Sequence, residues 1–144
     1  MKAIEDLMPH SGEMVLIDEI LEIKEDFICV LAQINEDNAF LENRVFPTYK
    51  TLEMMAQSLV AFRGKGDEKN RNKLGFLLST RYFEIFKPFV EVGDKIIIKT
   101  NITMQDNEGL GIYESKAYLR DELIASATLS VLNPNDEFLK KVLI

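Results

Sequence analysis

Between Pro47 and Gly64 runs TYKTLEMMAQSLVAFR, sixteen residues that are apolar on almost every side when wound as a helix. Pro47 suits the entry, where a missing N–H costs nothing, and Gly64 and Gly66 suit the exit. The predicted helix covers residues 48–63, roughly 24 Å at 1.5 Å per residue. Leu52, Met55, Leu59 and Phe62 mark one face, and Met54, Ala56, Val60 and Ala61 fill most of the rest. A helix of this kind has no broad face to offer water, so the rest of the chain has to surround it. Tyr49, Glu53 and Gln57, spaced by four, form its only polar stripe.

The surroundings read as strand. EMVLIDEILEIK and DFICVLAQI form a predicted hairpin turning at Lys24-Glu25-Asp26. Residues 35–44 are polar and loop-like, with Phe40 and Leu41 as anchors. After the helix, LGFLLSTRYFEIF is a long strand and KPFVEVGD a turn region. KIIIKTNITMQ, LGIYESKAYLR and LIASATLSVLN are three further strands joined through DNEG and DE. Short helices are expected at residues 4–8 and in the tail, residues 136–144. Two strands, one buried helix and four antiparallel strands make an α+β chain, with the sheet wrapped around the helix to bury both surfaces. The free edges of a small sheet invite dimerisation.

At 144 residues the chain suits a single domain, residues 1–144. Its formal net charge of −7 argues against nucleic-acid binding, which needs a basic surface. No apolar run is long enough to span a membrane, and MKAIEDLMPH has no signal-peptide character, so the cytoplasm is the expected compartment. One Cys and one His cannot build a zinc site of the usual kind, and there is no glycine-rich phosphate loop, so no metal or cofactor is expected. Cys29 reads as a small buried residue of a strand. One stretch departs from the acidic balance. RGKGDEKNRNK, residues 63–73, carries five basic and two acidic residues. It reads either as a solvated loop or as a docking patch for an acidic partner.

Three segments carry a family resemblance. LMPHSGEMVLIDEILE is similar to the N-terminal leucine-proline-histidine stretch of the hotdog-fold 3-hydroxyacyl-[acyl-carrier-protein] dehydratases of fatty acid synthesis. TLEMMAQ resembles their helix motif, glutamate followed by Met-Ala-Gln, and GFLLSTRYFEIFKPFVEVGDKIII resembles the strand that precedes their P-V-x-P-G-D phrase. The order holds over nearly the whole chain. One departure stands out. Where the standard dehydratase has a His-Phe-Pro-Gly-His-Pro run whose first histidine is the base, this chain reads NRVFPTYK, with Arg44 or Val45 near that histidine's place. This shortened loop, with the Pro-His-x-Gly-x-Met start, looks more like the dehydratase-like hotdog proteins of aryl-polyene pigment clusters.

The resemblance implies a catalytic Glu53 on the helix and an acyl carrier protein bearing a phosphopantetheine-linked substrate. It also implies a homodimer, or a heterodimer with a second hotdog protein. Dehydration of a 3-hydroxyacyl thioester needs a base for the α-proton, an acid for the leaving hydroxyl, and donors for the enolate-like oxygen. Glu53 is expected as the acid. The backbone of Tyr49, Lys50, Thr51 and Leu52, at the helix start, is expected to supply the donors, with Gln57 bound to a buried backbone group, to Glu53 or to substrate. His10, the only histidine, is the candidate base, although a histidine after proline also serves as a turn residue and is not the base in the standard family. Tyr49 and Arg44 are further candidates for binding or acid work. Arg63, Lys65, Lys69, Arg71 and Lys73 are the expected carrier-protein docking residues. A glutamate early in a helix also serves the macrodipole alone, and two other functions remain open: a non-catalytic subunit and an acyl-thioesterase.

Overall fold

The computed structural model describes residues 16–63, 77–105 and 110–132, apart from the side chains of Arg63, Leu77 and Leu78. The expected helices at 4–8 and 136–144, the DNEG turn, His10, Lys65, Lys69, Arg71, Lys73 and Phe76 lie outside the described residues. The strands are β1 (Glu19–Ile23), β2 (Phe27–Gln33), β3 (Val45–Pro47), β4 (Leu77–Ile85), β5 (Phe89–Glu91), β6 (Lys95–Gln105), β7 (Leu110–Leu119) and β8 (Glu122–Leu132). A 3-10 turn, Thr48–Lys50, leads into helix α1, Thr51–Arg63. Six strands form one antiparallel sheet in the order β1-β2-β6-β7-β8-β4, and β3 pairs with β5 in a separate two-stranded sheet.

Strand alternation decides which face covers the helix. On β6, Ile96, Ile98 and Thr100 are buried while Lys95, Lys99 and Asn101 are exposed. Ile28, Val30 and Ala32 of β2 and Ala117 and Leu119 of β7 join them in one apolar cluster with Met54, Met55, Leu59, Ala61 and Phe62 of α1. Burying each such large side chain is worth about 1.5–3 kcal/mol, against a few tenths for helix propensity, so packing rather than propensity holds α1 in place. Tyr113 is fully buried and meets Phe62 edge-on at 6.3 Å between ring centroids. Its ring explains Gly111: a Cβ there would lie 2.8 Å from Tyr113 Cε2.

The structure corrects four details of the sequence reading. The first strand begins at Glu19, and a bulge between Ile20 and Glu22 turns Leu21 outward. Residues 45–47 and 89–91, read as loop and turn, are the strands β3 and β5, too short to show a period of their own. The helix starts as a 3-10 turn and becomes α-helical only at Thr51. The last hairpin turns at Arg120-Asp121, with Glu122 already in β8. Cys29 is buried in β2 as expected, and Phe40 and Leu41 pack against the core as the loop's anchors. No helix among the described residues is long and apolar enough to cross a membrane.

Arg120 and Asp121 have φ of 50° and 66°, the left-handed pair that a two-residue hairpin demands and side chains resist. Asp121→Gly should therefore raise stability by about 0.5–1 kcal/mol, read as a higher urea midpoint with an unchanged slope. A lower midpoint would show that the aspartate contributes more than its backbone strain removes.

Candidate functional site

The site grows from the way the chain enters α1. Glu42 and Val45 exchange backbone hydrogen bonds of 2.8 and 3.0 Å across a two-residue turn, with Asn43 and Arg44 at φ of 52° and 68°. That turn sends Val45–Pro47 along β5, and the Thr48 N–H donates to the Pro88 carbonyl at 2.9 Å. The helix entry is thus clamped on the β4–β5 connection. Thr51 is buried. Its N–H points back onto the carbonyls of the 3-10 turn, and its hydroxyl donates to the Thr48 carbonyl at 2.7 Å. Leu52 is half-buried against the core.

Glu53 follows in the first turn of α1 and is half-buried on a helix whose other positions are mostly buried. Gln57, one helical turn on and 1% exposed, carries two contacts with its one amide. Its Nε2 donates to Glu53 Oε1 at 3.0 Å, and its Oε1 accepts the Leu16 N–H at 2.8 Å. The second bond satisfies a buried backbone donor, which left unpaired would cost about 1–3 kcal/mol. The first holds one oxygen of Glu53 in a set direction. The other oxygen has no hydrogen-bond partner among the described residues.

Tyr49 and Lys50 do not join that pair. In a 3-10 turn the residues advance by about three per turn, so the four-residue spacing from Tyr49 to Glu53 no longer stacks them. The Tyr49 hydroxyl donates instead to Glu42 Oε2 at 2.8 Å. Lys50 Nζ donates to the Phe40 carbonyl at 2.9 Å and lies 3.3 Å from the same Glu42 oxygen, 5.8 Å from the Phe40 and Tyr49 ring centroids. Glu42, Asn43, Val45, Pro47, Tyr49 and Phe89 line an open cleft of about 530 Å³. Arg44 is exposed beside a second hollow of about 460 Å³ with Glu36, Leu41 and Val92. Sequence reasoning missed Glu42 and Phe89. Glu42 belongs to no motif, Phe89 sits inside the segment that carries the family resemblance, and the two meet only because β3, the 3-10 turn and β5 converge.

The hydrogen bond from Tyr49, and then the ammonium of Lys50, hold the Glu42 carboxyl below its usual range, and the same bond to Glu42 raises the Tyr49 phenol. The depressed carboxyl favours the folded turn above the ordinary carboxylate range, and that contribution is lost as pH falls through its folded pKa. The raised phenol favours the turn below the ordinary tyrosine value of about 10, and its contribution is lost as pH climbs above its folded pKa. Followed by NMR, the Tyr49 ring should titrate above a free tyrosine in the wild type and fall back towards it in Glu42→Ala. An unchanged Tyr49 titration would refute the pairing.

Compared with known proteins, the chain matches the model of the ApeP-like family, described as ApeP dehydratase, over residues 2–143. It is 29% identical over 133 residues to the 3-hydroxyacyl-[acyl-carrier-protein] dehydratase FabZ of Streptococcus gordonii, covering 89% of this chain and 93% of that protein. Among solved structures, the dehydratase heterocomplex ApeI:P from Xenorhabdus doucetiae superposes with a TM-score of 0.83 at 20% identity, over 99% of this chain and 98% of that one. An uncharacterised Pyrococcus horikoshii protein, PH1136, superposes with a TM-score of 0.66 at 20% identity, over 94% and 97%. The fold is the hotdog fold implied by the sequence resemblance.

Proposed function

We propose, since this chain belongs to the ApeP-like dehydratase family, that it works on 3-hydroxyacyl thioesters presented by an acyl carrier protein, with Glu53 as the acid of the dehydration. The observation that carries this reading is the half-buried Glu53 carboxyl, one oxygen held by Gln57 and the other without a hydrogen-bond partner among the described residues. In the reaction a base takes the α-proton, the C–O bond to the 3-hydroxyl breaks, and the acid delivers its proton to the departing oxygen as water. Glu53 suits the second role because the Gln57 amide fixes its direction before substrate arrives.

The base is assigned to His10. It lies six residues before Leu16 in the sequence, and Leu16 is the residue that Gln57 ties to Glu53. Six residues of extended chain span at most about 20–22 Å, so the sequence separation permits an approach of His10 to that carboxyl. In NRVFPTYK the turn residue Arg44 stands near the family histidine's place, so no histidine of this loop competes for the role.

A second hotdog subunit completes the assembly. Strand β4 is an outer strand of the sheet, and Tyr82, Ile85, Phe86 and Phe89 are 42–69% exposed along and just beyond it. That apolar edge is suited to a partner strand. The ApeI:P structure is a heterocomplex, and a partner of that kind is the reading favoured here over a homodimer.

The purified protein, alone and with a second hotdog subunit, is incubated with a 3-hydroxyacyl carrier protein, and loss of one water is followed by mass spectrometry. Activity of the protein alone that falls at least about 100-fold in both Glu53→Gln and His10→Ala, with folding retained, supports the assignment. Activity only with the partner, lost in Glu53→Gln but not in His10→Ala, moves the base to the partner. Wild-type rates in Glu53→Gln, or free thiol released with no enoyl product, would overturn the dehydratase reading.

Carrier docking is assigned to Arg63, Lys65, Lys69, Arg71 and Lys73, the basic stretch of a chain of net charge −7. Charge reversal at Arg71 and Lys73 should raise KM for carrier-bound substrate and leave a small thioester mimic unaffected. Equal effects on both substrates would refute it.

A further inference from the structure

Within the apolar core three hydroxyls meet. Ser58 of α1, Thr100 of β6 and Ser115 of β7 are all buried, at 0%, 1% and 0% exposure. Thr100 and Ser115 are directly opposite each other in the β6–β7 register, and their oxygens lie 2.7 Å apart. Ser58 Oγ lies 2.8 Å from Thr100 Oγ1 and donates to the Met55 carbonyl at 2.6 Å.

The proton count sets the direction of this chain. Each hydroxyl has one proton. That of Ser58 is committed to Met55, so Ser58 only accepts from Thr100. Thr100 then has no proton left for Ser115 and only accepts from it. The chain runs Ser115 to Thr100 to Ser58 to the Met55 carbonyl, with every donor used. Core packing alone does not call for it. Alanine and valine would fill the same space, and replacing a whole buried polar group by apolar ones of like shape is often neutral or stabilising. The apolar contacts of α1 are non-directional, so they resist separation from the sheet far better than rotation against it. A directional chain of hydrogen bonds resists rotation.

We propose that the Ser58–Thr100–Ser115 chain is a positioning device that sets the rotation of α1, and through it the aim of the Gln57–Glu53 pair. Ser58 adjoins Gln57 in sequence, so a helix turned about its axis at Ser58 carries the Gln57–Glu53 pair round with it and displaces the Gln57 amide from Leu16. Thr100 is the residue that controls it, from the sheet and without a hydrogen bond to Glu53. This inference rests on the assignment of Glu53 as the acid only for its kinetic part. Its structural part stands apart from that assignment.

Thr100→Val keeps the shape and removes the central link, and Thr100→Ser restores the hydroxyl. Both are measured well below their melting temperatures, in the assembly that shows turnover. For Thr100→Val, kcat is expected to fall about 10- to 100-fold with KM within twofold, since small misplacements of catalytic groups act on kcat. Thr100→Ser is expected to recover most of the rate. Independently of activity, hydrogen exchange at the Leu16 amide, the donor to Gln57, should speed up about tenfold or more in Thr100→Val while the Ile98 amide of β6 keeps its protection. If Glu53→Gln proves harmless, the kinetic part falls with the dehydratase reading, and the Leu16 exchange alone decides the device. A lower melting temperature in Thr100→Val with unchanged Leu16 exchange would show a stabilising role only and overturn the proposal.

Discussion

Everything else in this structure depends on burying one helix that has almost no polar side. Met54, Met55, Leu59, Ala61 and Phe62 enter the same cluster as the inner faces of β2, β6 and β7. At about 1.5–3 kcal/mol for each large side chain, that burial far outweighs any local preference of the segment. It requires a sheet with one apolar face, which the alternation on β6 and β7 supplies. It also limits chemistry on the helix to the few positions that the sheet does not cover.

Burial holds the helix down but does not aim it. The aiming falls to a small number of directional bonds placed where the core meets the helix. Gln57 ties Glu53 to the backbone of Leu16, and the three hydroxyls of Ser58, Thr100 and Ser115 tie the next residue to two strands. At the helix entry a separate set acts. Thr48 bonds Pro88, and Glu42 gathers Tyr49 and Lys50. Glu53 therefore stands between a polar entry turn and a polar core chain, while one of its own oxygens has no hydrogen-bond partner among the described residues.

This arrangement also shows how the chain departs from the standard dehydratase pattern. Near the place where the resemblance puts the standard base, this chain makes a tight turn through Asn43 and Arg44, held by left-handed backbone at two side-chain-bearing residues. Such a turn costs conformational energy and persists because β3 and the helix entry depend on its geometry. The proposed acid, Glu53, is by contrast part of the helix itself.

Several things were legible in the sequence because they rest on local periodicity. These were the buried helix, the strand hairpins on either side of it, Cys29 as a core residue, and a sheet wrapped around the one helix; the hotdog fold itself was implied by the family resemblance. Glu53 stood out because it is the lone carboxylate on that helix. The tertiary structure alone decided the rest, since hydrogen bonds between residues distant in sequence leave no periodic trace. It placed Leu16 on Gln57, 41 positions away. It set Thr100 against Ser58, 42 positions away, and paired β3 with β5, each too short to have a pattern. It turned Tyr49 to Glu42, because a 3-10 turn replaces the expected α-helical start and three residues per turn do not continue a stripe spaced by four.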